Sequence, residues 1–278
     1  MSLRINTNIA ALTAHRNLTE TDRRMSVSLE RLSSGYRINR AKDDVAGLAI
    51  ANKFRVEVRG LRAAQQNTAQ ATALLQVAEG GTGQIESIVE RLKELATSAA
   101  SDNTDSAGRA RLNAEAQKLL AEIDRIANDT KYGVTPLLSG ATGINLTFQI
   151  GSGNTATEDQ INVTTSGALL STNLGLSTIN LTSLASAQAA LTNIDNSVTS
   201  VNVIQGEIGA AQSRLEFAAI NLSISIENIA ASESTIRDVD MAFEMVNFTR
   251  NQILMQAGTS MLAQANMIPQ NILALLGQ

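Results

Sequence analysis

His15 is the single histidine of the sequence and therefore the one imidazole that could act as a general base or a metal ligand. An HExxH motif or a multi-histidine metal site needs a second histidine, and His15 has no neighbouring serine arrangement typical of a catalytic triad. The sequence contains no cysteine, which excludes disulfides and thiolate sites. We predict a surface or partner-facing histidine, no enzyme activity, no metal and no cofactor.

A charged cluster and two glycine-rich segments also have residue types that could do chemistry. Lys42, Asp43 and Asp44 could exchange protons, but aspartate favours helix N-termini, so capping and salt bridges explain the cluster more simply. Residues 79–83 and 151–153 contain neither GxGxxG nor GxxxxGK[ST], the patterns that cradle phosphate. We predict structural roles for all three.

The composition favours long helices packed side by side. Tryptophan is absent, aromatic residues make up 3% of the chain and proline occurs twice, so Leu, Ile, Val and Ala must build the core. Short aliphatic side chains let neighbouring helices approach and interlock. Few prolines mean that few positions forbid a helix interior.

Charge is unevenly distributed along the chain. Residues 1–62 contain 12 Lys/Arg and 6 Asp/Glu, whereas the rest of the chain contains 10 and 20. A basic segment can bind nucleic acid or anionic lipid, but acidic residues are interspersed here, which favours a solvated or partner-facing helix surface. The N-terminus lacks the apolar core of a secretory signal, and no run of about 18 apolar residues could span a membrane. We expect no nucleic-acid and no membrane partner.

A heptad repeat dominates the C-terminal half. It predicts a helix from about Ala185 to Glu233 with an apolar seam that a partner helix must cover. The second seam position is weaker and includes Gln205 and Gln212. Apolar stripes in residues 74–95 and 112–126, separated by a polar break at 98–108, predict the partner helices. The seam consists of Ile194, Val201, Ile208, Leu215, Leu222 and Ile229.

The residues after position 139 have a different pattern. Apolar residues alternate with polar ones over 144–150 and 161–163, on either side of a turn-rich segment. This period of two predicts a β-hairpin.

Both ends of the chain carry apolar stripes. Such stripes usually belong to a core, but chain termini have few neighbours within a compact domain. The alternative is that they become buried only when copies of the chain assemble. The predicted polymerisation residues are Ile5, Ile9, Leu12, Leu29, Leu32, Val246, Ile253 and Met261.

Three segments resemble the terminal signatures of bacterial flagellins: INTNIAAL (5–12), ERLSSGYRINRAKDDVAGLAIANKF (30–54) and QAGTSMLAQANMIPQNILALLGQ (256–278). The resemblance implies a mostly α fold, with long antiparallel helices in a rod-like bundle, a small β-hairpin and terminal helices that form a coiled coil. Residues 1–44 plus 239–278 would form an inner domain, and 45–238 an outer rod with its hairpin region at about 140–185.

The resemblance also implies a function and partners. A flagellin is an extracellular structural subunit that is exported through the flagellar secretion channel and self-assembles into the helical filament for motility. Its expected partners are further copies of itself, an export chaperone on the C-terminal segment, the filament cap and the hook-junction proteins.

One segment resembles the patch that the host Toll-like flagellin receptor recognises. In ERLKELATSA (90–99), Arg91 and Leu95 match contact positions of the family, and Glu115 matches one on the next helix. Lys118 departs from the glutamine that the family often has there. Assembly is the alternative role for these residues.

Two other functions remain open from the residues alone. A hook-filament junction protein has related termini. A secreted coiled-coil effector could bind membranes through amphipathic ends, although lipid-bound helices favour Trp or Phe opposite a basic face, and this sequence has no Trp.

Overall fold

The computed structural model describes residues 7–140 and 143–276, and the side chains within 7–140 and 143–267. Helices make up 73% of the chain, which confirms the mostly α prediction. The chain divides into two compact units. We call residues 1–56 with 228–278 the terminal unit, and residues 57–227 the central unit.

Among the described residues, three long helices come first, a group of short elements follows, and two long helices come last. The long helices are α1 (Ile9–Ser34), α2 (Val45–Ala99), α3 (Ser106–Asp129), α5 (Leu184–Arg237) and α6 (Met241–Leu276). The short elements are β1 (Lys131–Tyr132), β2 (Thr135–Pro136), β3 (Asn145–Gln149), the single-turn α4 (Ala156–Asp159) and β4 (Gln160–Thr164).

In the terminal unit, α1 and α6 pack as an antiparallel pair. At one end the side chain of Asn8, the N-cap of α1, donates to the carbonyl oxygen of Ala265 at 2.7 Å. At the other end Ser28 donates to Glu244 at 2.5 Å. A Cβ atom on Gly258 would lie 3.1 Å from Leu18 Cδ1, so the absence of a side chain there allows a close helix approach.

The segment that joins α1 to α2 is hydrogen-bonded to the one that joins α5 to α6. Gly35 ends α1 with a left-handed φ of 74°, a conformation that favours glycine. The Arg37 N–H donates to the Arg237 carbonyl at 2.7 Å, and the Val239 N–H donates to the Gly35 carbonyl at 3.0 Å. The Arg237 guanidinium also lies 4.1 Å from the centroid of the Tyr36 ring. Both helix breaks therefore belong to one hydrogen-bonded junction.

Asp43 and Asp44 cap backbone groups, as the sequence predicts. The Asp44 carboxylate accepts from the Gly47 N–H at 2.8 Å, in the first turn of α2. The Asp43 carboxylate accepts from the N–H of Arg40 at 2.9 Å and of Asn39 at 3.2 Å. These bonds, chiefly the one from Arg40, lower the pKa of Asp43.

In the central unit, residues from α2, α3 and α5 share one hydrophobic core with the hairpin. Gln205 donates to Glu86 at 2.6 Å, and Gln212 donates to Glu79 at 2.8 Å. The later residue of α5, Gln212, pairs with the earlier residue of α2, Glu79, so the two helices are antiparallel. The glutamines at the weak seam positions therefore pair with carboxylates of α2.

The hairpin prediction is confirmed by β3 and β4, which pair antiparallel from Asn145 opposite Thr164 to Gln149 opposite Gln160. Residues 165–183, which follow the hairpin, are irregular and rich in Ser, Thr, Asn, Gly and Leu, and they contribute to the core. Their large buried apolar residues are Leu169, Leu174, Leu176, Ile179 and Leu181.

Three local features differ from the expectation. Helix α5 ends at Arg237 rather than at about Glu233. The sequence predicts that Pro269 interrupts the C-terminal helix, because proline lacks a backbone N–H donor, but helix α6 continues through it to Leu276. A two-residue hairpin, β1–β2, also turns at Gly133, whose φ is 64°.

Three glycines of α2 should respond differently to alanine. Gly80→Ala and Gly83→Ala should each raise the free energy of unfolding by about 1 kcal/mol, because alanine favours helix and the new Cβ meets no atom within 4 Å. Gly81→Ala should lower it by about 1–3 kcal/mol, because its Cβ would lie 2.7 Å from Thr130 Oγ1 and 2.8 Å from Leu138 Cδ1. Urea unfolding of the monomer, followed by circular dichroism, measures all three, and equal stabilisation would contradict the close approach at Gly81.

The Gln205–Glu86 pair should be coupled energetically. A double-mutant cycle with Gln205→Ala and Glu86→Ala should give a coupling energy of about 0.5–1.5 kcal/mol, because the hydrogen bond is partly buried. The exposed pair formed by Gln212 and Glu79 is the matched control and should give less. Equal coupling energies in urea unfolding would show that the burial of the first pair adds nothing.

Candidate assembly surfaces

The described residues contain no obvious centre for chemistry. Within them, no group of three or more His, Cys, Asp or Glu side chains could hold a metal ion. His15 is exposed on α1. No described helix is long and apolar enough to cross a bilayer.

The predicted polymerisation residues are largely exposed on the α1–α6 pair, except Leu32, which is half-buried. Ile5 lies outside the described residues. The exposed fractions are 59% for Ile9, 62% for Leu12, 57% for Leu29, 57% for Val246, 60% for Ile253 and 64% for Met261. The packing of α1 against α6 therefore leaves most of these apolar side chains exposed to water.

Helix α6 exposes further large apolar residues besides the predicted polymerisation residues. The signal in the sequence was the scarcity of charge in MAFEMVNFTRNQILM (241–255). A helix that is apolar around most of its circumference is typical of a buried helix. The additional exposed residues are Met241, Phe243, Met245, Leu254 and Met267.

The heptad residues of α5 have the opposite environment. Ile194, Val201, Ile208, Leu215 and Leu222 are buried, with exposed fractions between 0 and 7%. Ile229 is half-buried and belongs to the terminal unit. The other face of α5 carries a shorter exposed stripe, formed by Phe217, Ile220 and Ile224.

Arg91 and Glu115 form an exposed ion pair between α2 and α3. Arg91 contacts Glu94 at 2.7 Å and Glu115 at 3.0 Å. Its hydrogen bonds to Glu94 and then Glu115 raise the pKa of Arg91. Leu95 is 3% exposed and lies in the core, so the accessible part of this predicted receptor patch consists of Arg91 and Glu115.

Two family models match the chain. The bacterial flagellin N-terminal helical region matches residues 5–142, and the bacterial flagellin C-terminal helical region matches residues 191–276. The unmatched residues between them include the hairpin and the irregular segment that follows it.

Curated relatives match over nearly their whole length. A flagellin from Halalkalibacterium halodurans is 40% identical, with 98% of this chain and 99% of the relative covered. The flagellar filament 33 kDa core protein of Treponema phagedenis is 38% identical with the same coverage. The flagellin of Bacillus subtilis is 38% identical over 99% of this chain and all of the relative. The chain therefore belongs to the bacterial flagellin family, the structural, non-enzymatic proteins that form the extracellular flagellar filament.

Proposed function

We propose that this chain polymerises into the flagellar filament by burying the exposed apolar faces of α1 and α6 against further copies of itself. The observation that carries the proposal is the exposure of Leu12, Ile253 and Met261, each at least 60% accessible. Burial of apolar surface contributes about 25 cal/mol per Å², so repeated contacts of this kind favour assembly strongly.

The same exposure explains why assembly would continue. A contact between different faces of successive copies does not close on itself and generates an open helical polymer. Helices α1 and α6 each present apolar residues to solvent, so an added copy finds uncovered apolar surface at the growing end. The result would be a filament that elongates by one subunit at a time.

We assign residues 1–44 plus 239–278 to an inner filament domain and 45–238 to an outer rod. These boundaries coincide with the two helix breaks, between α1 and α2 and between α5 and α6. The boundaries of the two compact units differ slightly from these, because they lie within α2, after Val56, and within α5, before Asn228. A break in the helix allows the chain direction to change there, which supports the assignment.

The heptad residues of α5, from Ile194 to Leu222, would hold the rod together rather than contact other copies. Their almost complete burial within the central unit supports this role. Ile229 continues the repeat and is only half-buried. We therefore assign stability of the subunit to the seam and polymerisation to the chain ends.

Before assembly, the apolar face of α6 needs protection from water and from premature contacts. We assign its C-terminal segment as the site for an export chaperone, supported by the exposed Val246, Ile253 and Met261. The filament cap and the hook-junction proteins would meet the same kind of surface at the two ends of the polymer.

Host receptor binding is a further proposal for the exposed Arg91–Glu115 pair. Leu95 would act only indirectly, by packing on the core side of α2, because its side chain is buried. Lys118 is exposed on α3 and could alter the contact.

Removal of α6 should abolish elongation. We expect the full chain to extend sheared filament seeds into long tubes, and a chain ending at Asp238 to form none, because the truncation removes the α1–α6 pair. Negative-stain electron microscopy measures tube length. Elongation by both chains would contradict the role of residues 239–278, and elongation by neither would favour the junction-protein or effector alternatives.

Single polar substitutions at exposed apolar positions should weaken polymerisation without unfolding the monomer. Leu12→Gln and Ile253→Gln should each raise the critical concentration by about tenfold, which corresponds to about 1.4 kcal/mol of lost apolar contact. Sedimentation of seeded filaments measures the critical concentration. The thermal midpoint of the monomer should not fall, since both side chains are exposed. The control is Gln252→Asn, a polar exchange beside Ile253, and an equal effect there would refute the assignment.

A further inference from the structure

A charged cleft of about 530 Å³ lies within the terminal unit, between α1, the α1–α2 connection and α6. Its lining mixes basic and acidic side chains, with the basic ones in excess. The basic lining residues are Arg23, Arg24, Arg31, Lys42 and Arg250, and the acidic ones are Glu20, Asp43 and Glu244.

Two of the carboxylates are already paired with side chains of α1. Glu20 contacts Arg23 at 3.1 Å and Arg24 at 3.0 Å, and these hydrogen bonds lower the pKa of Glu20. Glu244, whose side chain is 6% exposed, accepts from Ser28 and lies 3.6 Å from Arg31.

The third carboxylate, Asp43, accepts from two backbone N–H groups. Lys42 and Arg250 are exposed, and neither has an Asp or Glu oxygen within 4.0 Å among the described residues. The cleft therefore presents two exposed cations that form no salt bridge among the described residues.

The charge of the two units is complementary. The terminal unit contains 12 Lys/Arg and 9 Asp/Glu, whereas the central unit contains 10 and 17. In a polymer of identical copies, every neighbouring copy offers the acidic central unit as an oppositely charged surface for this cleft.

We propose that Lys42 and Arg250 bind acidic side chains from residues 57–227 of a second copy of this chain. The inference rests on filament assembly as proposed above. The charged contact would orient each added copy while the apolar faces of α1 and α6 become buried. Apolar burial is non-directional, whereas opposite charges across an interface favour one register and speed correct encounter. The backbone of Lys42 lies near the end of the α1–α2 connection, within a turn in which Arg40 and Asp43 are hydrogen-bonded to each other.

Carbodiimide cross-linking of filaments tests the contact directly, because the reagent condenses a lysine amine and a carboxylate only when they touch. Filaments are grown from an equal mixture of ¹⁵N-labelled and unlabelled chains, so mass spectrometry distinguishes links between copies from links within one. We expect mixed-isotope links from Lys42 to Asp or Glu residues between 57 and 227. Links from other lysines such as Lys53 and Lys131, with none from Lys42, would overturn the proposal although filaments had formed.

Charge variants give a second, independent readout. Lys42→Ala and Arg250→Ala should each raise the critical concentration about threefold at about 50 mM NaCl. The increase should be much smaller at about 1 M NaCl, where salt screens the interaction between charges over a shorter distance. Lys42→Arg and Arg250→Lys keep the charge and should remain near wild type, and Lys42→Arg should also lose the cross-link.

The control for a general charge effect is Arg16→Ala, on α1 outside the cleft lining. An equal effect of Arg16→Ala, or no effect of either cleft variant, would overturn the proposal while filament assembly stands. Failure of the wild-type chain to elongate on seeds would instead refute the proposed function itself.

Discussion

The structure depends on the packing of short aliphatic side chains between long parallel or antiparallel helices. No tryptophan and few other aromatic residues are available, so the core gains its free energy from many small contacts rather than from a few large side chains. Such contacts require close approach. In the central unit this is visible where Thr130 and Leu138 occupy the space that a side chain on Gly81 would fill.

A regular seam of this kind leaves the relative position of two helices underdetermined, because a shift by one heptad places apolar residues opposite apolar residues again. The pairs that Gln205 and Gln212 form with Glu86 and Glu79 favour the observed alignment, because a shift by one heptad would keep only one of the two pairs. The polar interruptions of the repeat thus give specificity where the apolar positions give stability.

The terminal unit has the same residue types, but large apolar side chains of α1 and α6 stay uncovered in it. Helices α1 and α6 approach each other closely where Leu18 packs against Gly258, whereas the large side chains of Leu12 and Ile253 remain exposed to water. An incomplete core of this kind is unfavourable for an isolated protein and suits a subunit whose neighbours complete it. In the proposed filament, the central unit would supply the stability of the subunit and the terminal unit the apolar surface that drives assembly.

The sequence by itself determined the helical class, the hairpin, the heptad seam and, through its terminal motifs, the resemblance to flagellins, because periodicity and local motifs are properties of neighbouring residues. Only the tertiary structure decided which apolar residues are covered. Leu95 and Leu12 both lie on amphipathic helical stripes, yet one is 3% and the other 62% exposed. The structure alone also revealed the buried leucines after the hairpin and the partners of Gln205 and Glu244. The physical reason is that burial and pairing depend on elements distant in the chain, which no local pattern encodes.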